Sequence, residues 1–154
     1  MIEYRKAVID DVEELVRLRI AFLNEVKNIE SGYSDPAMEY NLKEYFINNM
    51  STNCFIAWLA VKDGAIVGTS GICFYALPPS YKNISGNSAY IMNMYTLPDY
   101  RGKGIAPALF KKLVAEAADR SCKKISLHAT DMGKPVYLKF GFKVTDNEMV
   151  LNLP

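Results

Sequence analysis

Met94-Tyr95-Thr96-Leu97-Pro98-Asp99-Tyr100-Arg101-Gly102-Lys103-Gly104-Ile105-Ala106-Pro107 is the stretch from which the rest of this chain is read. It starts as the end of a β-rich run, Ala89 to Thr96, turns through Leu97-Pro98-Asp99, and leads into a helix predicted over about Ile105 to Arg120. Ala106, Leu109, Phe110, Leu113, Val114 and Ala117 fall on one apolar face of that helix. Gly102 and Gly104 permit positive φ and let main chain approach a ligand closely. The first N–H groups of a helix have no intrahelical partner, so such a turn is a natural anion site. Arg101 and Lys103 add positive charge to it. Two commoner phosphate loops are excluded. No glycine precedes a Lys-Ser or Lys-Thr pair, as a Walker A loop requires, and Gly102-x-Gly104 is followed by Pro107 where a Rossmann fingerprint needs glycine.

Working outward, Asp10-Asp11 opens a helix whose apolar residues run from Val12 to Val26, and Asp35-Pro36 opens a second that extends to about Met50. Phe55 to Val61 and Ile66 to Tyr75 are β-rich runs joined through Asp63-Gly64, a strong hairpin signal. Leu77 to Asn87 is a loop rich in Pro, Asn, Ser and Gly. After the glycine-rich turn and its helix come a strand over Lys124 to Ala129, a short helix over Gly133 to Phe140, and a C-terminal strand or hairpin over Phe142 to Leu153. The predicted order is β-α-α-β-β-β-α-β-α-β. That is an α/β (α+β) fold with a mixed sheet and helices on its faces. Residues 1–154 form one domain without a linker.

Composition limits the function. Half of the 154 residues are hydrophobic and the net charge is +1, which argues against a dedicated nucleic-acid binder. The charge is unevenly spread. Residues 1–50 carry 6 basic and 10 acidic side chains, whereas residues 100–143 carry 10 basic and 3 acidic, so the excess lies on the segment with the anion-binding turn. One His, with Cys54, Cys73 and Cys122 outside any C-x-x-C pair, completes no zinc pattern, so no metal is expected. The three cysteines read as small buried hydrophobes in a reducing compartment. The first residues carry charge and no apolar h-region, and no apolar run reaches the ~18 residues of a membrane span. A cytoplasmic protein without membrane contact is expected.

Arg101-x-x-Gly104-x-Ala106 after a strand resembles the R/Q-x-x-G-x-G/A motif of the GCN5-related N-acetyltransferase (GNAT) family. Downstream, Pro135-Val136-Tyr137-Leu138-Lys139-Phe140-Gly141-Phe142 resembles that family's Y-x-K-x-G-F helix end. The resemblance implies a single GNAT-like domain with a mostly antiparallel central sheet, and acetyl-CoA as cosubstrate. It also implies roles. Main chain at Met94 and Thr96 would bond the pantetheine arm, and N–H groups of Gly102, Lys103, Gly104, Ile105 and Ala106 would wrap the pyrophosphate beside Arg101. N–H groups at the Met94–Tyr95–Thr96 strand end would serve the developing oxyanion. Pro107 has no N–H, so a backbone bond at that position is lost. Thr130 stands where many members carry a cofactor-contacting Asn. A homodimer is usual among proteins the chain resembles.

The implied reaction is transfer of acetyl from acetyl-CoA to a primary amine of a small molecule or peptide by direct attack in a ternary complex. An alkylamine has a pKa of about 10, so about one molecule in a thousand is neutral at pH 7, and a proton acceptor is needed. Tyr137 matches the family's general acid, which protonates the leaving thiolate. For the base, lone His128 is one candidate, with strand alternation setting it on the face opposite Leu127 and Ala129. Glu25, Glu30 and Asp35, around the helix-helix connection, are others. Tyr75, Tyr81, Tyr90 and Tyr95 are candidates to line the acceptor pocket. Two alternatives stay open: a catalytically silent acyl-CoA sensor of the same fold, and a nucleotide-phosphate binder of another fold.

Overall fold

Alternating apolar residues in the central third of the chain build a sheet that helices cover on both faces. The computed structural model describes residues 1–145 and 147–154. In chain order the elements are β1 (Glu3–Lys6), α1 (Val12–Lys27), α2 (Pro36–Ser51), β2 (Phe55–Lys62), β3 (Ala65–Ala76), β4 (Asn87–Thr96), α3 (Ile105–Asp119), β5 (Lys124–Leu127) and α4 (Lys134–Lys139). The strands lie in the order β1-β2-β3-β4-β5, with every pair antiparallel except β4 and β5.

Local chemistry accounts for the boundaries. The Asp35 carboxylate accepts the Ala37 N–H at 2.8 Å and caps α2, with Pro36 in its first turn. Asp63 and Gly64 both take left-handed φ (51° and 80°), the conformation of a two-residue hairpin turn. Asp11 starts α1 differently. Its carboxylate accepts the Val8 N–H at 2.8 Å and both terminal nitrogens of Arg5 at 2.7 and 2.8 Å, which ties the helix start to β1.

The two sheet faces bury separate cores. Val12, Leu15, Val16, Ile20 and Phe46 of α1 and α2 pack on Phe55, Ala57 and Leu59 of β2, with Cys73 and Met92 beside them. Phe110, Leu113 and Ala117 of α3 and Tyr137 of α4 pack on Ile72, Ala89 and Ile91, with Met94 and Leu127 partly buried against them. The start of α3 also sits close on β3: a Cβ on Gly68 would lie 3.0 Å from Ile105 Cγ2.

Three expectations need correction. The last strand of the predicted order does not form: residues 142–145 and 147–154 carry no strand. Met149, Val150 and Leu151 are consecutive rather than alternating, so no single face can be buried, and all three are largely exposed. β5 ends at Leu127, so His128 lies beyond the strand and its direction is not set by alternation. Cys54 is exposed and Cys73 and Cys122 are half-buried, so the cysteines are free but not uniformly core. Among the described residues no helix is long and apolar enough to cross a membrane, and no cluster of three or more His, Cys, Asp or Glu is arranged to hold a metal.

Candidate active site

β4 and β5 pair only from Ser88↔Lys124 to Ile91↔Leu127, where β5 ends while β4 runs on to Thr96. Just past that point β4 carries a bulge: Met92 pairs with Gly71 and Tyr95 with Thr69, so Asn93 and Met94 stand opposite the single residue Ser70. Asn93 takes a left-handed φ of 56°. Its side chain is buried and its Oδ1 has no hydrogen-bond partner, as is also true of Thr69 Oγ1 on the neighbouring strand. Orphaned buried acceptors are rare and mark a place where a further polar group belongs. Only one signal could have picked out Asn93 from sequence, namely an amide in the middle of the apolar run Tyr-Ile-Met-Asn-Met-Tyr.

The glycine-rich turn follows directly. Gly102 and Gly104 have φ of 71° and 77°, and the space where a Cβ would project is open. The turn is therefore dictated by backbone conformation rather than by crowding. The first main-chain bond into α3 is Ala108 N–H to Gly104 O at 3.2 Å. Pro107 has no N–H, and the N–H groups of Gly102, Lys103, Gly104, Ile105 and Ala106 have no main-chain partner among the described residues. Five donors lining the positive end of a 15-residue helix fit a pyrophosphate.

The two cations of the turn are engaged locally. Arg101 Nη2 is 2.7 Å from Glu25 Oε2, its Nε donates to Thr96 O at 2.9 Å, and its guanidinium lies over the Tyr95 ring. Lys103 Nζ donates to Asp99 O at 2.9 Å and lies over Tyr100. Arg101 thus pins α1 to the turn, with its charge matched by Glu25. The same hydrogen bond holds the Glu25 carboxyl below its ordinary range, so Glu25 is a poor proton acceptor. Asp35 is committed to capping α2. Glu30 is exposed, and its main-chain carbonyl accepts the Tyr33 N–H.

Tyr137 and His128 lie on opposite faces of the sheet near the end of β5. Tyr137 belongs to the core that includes Ile91, Met94 and Leu127, with Phe110 and Phe142 against its ring. Burial pushes its phenol above the usual value. Gly133 and Thr130 are close to it, and Thr130 Oγ1 accepts the Gly133 N–H at 3.2 Å, which shapes the start of α4.

On the other face, His128 Nδ1 is hydrogen-bonded to the Tyr90 hydroxyl, and Nε2 lies 2.9 Å from Glu148 Oε2. A carboxylate only accepts, so Nε2 carries the proton in the neutral ring and Nδ1 accepts from Tyr90. Tyr90 faces the α1 and α2 side, since it pairs with Cys73, whose side chain packs in that core. Burial raises the Tyr90 phenol, so it does not ionise on its own. Tyr95 shares that face and meets Phe22 edge-on. Tyr75 lines a separate cleft with Phe74, Asn87, Ser88, Arg120 and Cys122, and Tyr81 is fully exposed in the loop before β4, so neither joins this group. Glu148, 20 residues from its partner, carries no sequence signal of its own.

Comparison with known proteins agrees with this architecture. The sequence pattern of the Acetyltransferase (GNAT) family matches residues 19–142, and the chain belongs to that family. The fold is similar to that of a predicted acetyltransferase from Clostridium acetobutylicum, whose crystal structure contains acetyl-CoA. The TM-score is 0.91 and the identity 39%, over 99% of this chain and 96% of that one. Among curated relatives, the thialysine N-ε-acetyltransferase of Bos taurus is 28% identical over 82 residues, 53% of this chain and 48% of that protein. The glucosamine 6-phosphate N-acetyltransferase of Trypanosoma brucei brucei is 28% identical over 90 residues, 58% of this chain and 59% of that protein. The chain thus spans about half the length of the curated relatives it matches.

Proposed function

We propose that this chain is an N-acetyltransferase that moves the acetyl group of acetyl-CoA to a primary amine of a small molecule or peptide. The observation that carries the reading is the pair of proton-handling groups, Tyr137 and the Tyr90–His128–Glu148 chain, on opposite sheet faces near the point where β5 ends and β4 runs on. The free N–H groups from Gly102 to Ala106 support pyrophosphate binding there. The family's use of acetyl-CoA, seen in the Clostridium structure, supports the donor. The two curated relatives, named for thialysine and glucosamine 6-phosphate, support a small amine as acceptor.

Acetyl-CoA supplies an acyl group on a good leaving thiolate. In the reaction a C–N bond forms, the C–S bond breaks, one proton leaves the amine and one reaches the sulfur. The residues of the chain divide these tasks. The amine gives its proton to the Tyr90 oxygen as the Tyr90 proton passes to His128 Nδ1, while Glu148 holds the ring in the tautomer that leaves Nδ1 free. The raised phenol of Tyr90 fits a relay rather than a standing phenolate. Main-chain N–H groups of Met94, Tyr95 and Thr96, on β4 beyond the end of β5, orient the pantetheine arm and serve the carbonyl oxygen. Tyr137, a phenol whose burial raises its pKa further, holds its proton until it delivers it to the departing sulfur. Arg101 acts from behind by fixing the turn to α1.

The test is release of free CoA thiol from acetyl-CoA with a panel of primary amines, alongside calorimetric titration with CoA. Turnover with at least one amine and tight CoA binding are expected. Tight CoA binding with no turnover on any amine overturns the enzyme reading in favour of a silent sensor.

A further inference from the structure

Arg19 is the one arginine without a hydrogen-bond or ion-pair partner among the described residues. The chain has five. Arg5 pairs with Asp11, Arg17 with Glu14 and Arg101 with Glu25, each at 2.7 Å, and Arg120 donates to Asn53 O at 2.6 Å. Arg19 is half-buried on α1 and has no carboxylate or carbonyl partner among the described residues. Its guanidinium lies 5.6 Å from the centre of the Phe22 ring, which itself meets Tyr95. Its surroundings pull its pKa down, by desolvation first, and only the phenols of Tyr90 and Tyr45 offset this. Arg5, Arg17 and Arg101, each hydrogen-bonded to a carboxylate, have their pKa raised instead. A partly desolvated guanidinium without an anion is costly, and pairing with an incoming anion would relieve that cost.

The Phe22 ring that Arg19 covers meets Tyr95 of β4 edge-on. Tyr95 and Tyr90, the latter hydrogen-bonded to His128, share the sheet face that α1 and α2 cover. That is the face opposite Tyr137, which packs with α3. An amine that gives its proton to Tyr90 therefore shares a sheet face with a planar, five-donor cation, shaped for bidentate pairing with a carboxylate or phosphate.

We propose that Arg19 selects the acceptor: it pairs with an anionic group, carboxylate or phosphate, carried on the same molecule as the reacting amine. The preferred acceptors are amino acids or phosphorylated amines rather than bare alkylamines and polyamines. The inference rests on the N-acetyltransferase reading, and its test separates the two. Matched pairs that share an amine and differ in the anion are compared: lysine against cadaverine for carboxylate, and glucosamine 6-phosphate against glucosamine for phosphate. With the native protein, the anionic member of at least one pair is expected to have a kcat/KM about 30-fold higher, and which pair shows it identifies the anion. In Arg19→Gln that ratio falls to within about threefold through the KM of the anionic member, and Arg19→Lys restores part of it. Equal kcat/KM within both pairs in the native protein overturns the proposal. So does a loss in Arg19→Gln shared equally by both members, which marks a structural role.

Where no amine is turned over, the N-acetyltransferase reading has failed by itself. Binding of lysine, glucosamine 6-phosphate and inorganic phosphate to the CoA-saturated protein then decides the matter by calorimetry. Binding that Arg19→Gln weakens at least tenfold upholds Arg19 as the anion site, and no binding, or equal binding by the variant, refutes it. Circular dichroism and CoA affinity identify a variant that has failed to fold, and Arg19→Lys then supplies the comparison.

Discussion

On the face covered by α3 and α4, the candidate site consists of main chain and one buried phenol: five N–H groups at a glycine turn, a bulged strand, and Tyr137 in an aromatic core. On the face covered by α1 and α2, it consists of side chains: Tyr90 and His128, then His128 and Glu148, meet across 38 and 20 residues of sequence, and Arg19 lies over Phe22 of the same helix. The first arrangement suits a partner that never changes, because backbone donors at a helix start recognise a pyrophosphate whatever lies around them. The second suits a partner that differs between relatives, because a few side chains can be exchanged without disturbing the sheet.

Substitutions test this division, and the largest effect is expected on the α3 side. Tyr137→Phe should lower kcat about 100-fold with little change in the KM for acetyl-CoA, measured by thiol release. An unchanged kcat removes Tyr137 from the chemistry. Gly104→Val should weaken CoA binding about 30-fold, because a β-branched residue is strained at the φ of 77° and projects into the open turn. Unaltered CoA affinity in calorimetry refutes the pyrophosphate assignment. On the α1 side, His128→Gln should reduce kcat/KM for the amine about tenfold and leave CoA affinity intact, since water reaches this exposed position and can partly replace the ring. A matching fall in CoA affinity would dissolve the division between the faces.

The smallest effect joins the two faces. Glu25→Gln removes the ion pair that holds α1 to the glycine turn and should raise the KM for acetyl-CoA about threefold, in keeping with a pair near the surface. The pH dependence follows from the lowered carboxyl. The pair is fully formed above the ordinary Glu range and is lost as pH falls through the depressed value, so native and variant proteins should converge at acid pH. A difference that grows toward acid pH would contradict this.

The legible parts of the chain were those encoded locally. Asp35-Pro36, Asp63-Gly64 and Gly102-x-Gly104 each specify a backbone conformation within a few residues, and the helices and hairpin formed within two residues of their expected ends. The C-terminal strand was misjudged because a run of apolar residues shows β-propensity but not whether a neighbouring edge will take it. Arg101 was legible as a cation but not as one matched by Glu25, 76 residues away. His128 was legible only as a lone imidazole.

The sequence by itself determined the element order as far as α4, the glycine turn and the helix that carries Tyr137, because periodicity, glycine φ and helix starts act over a few residues. Only the tertiary structure decided that Tyr90, His128 and Glu148 form one hydrogen-bonded chain, that Glu25 is tied to Arg101, and that Arg19 has no counter-ion among the described residues. Those facts depend on which side chains share a sheet face, and on how far burial changes the cost of a charge. Both are set by packing between distant segments rather than by the residues next to them in the chain.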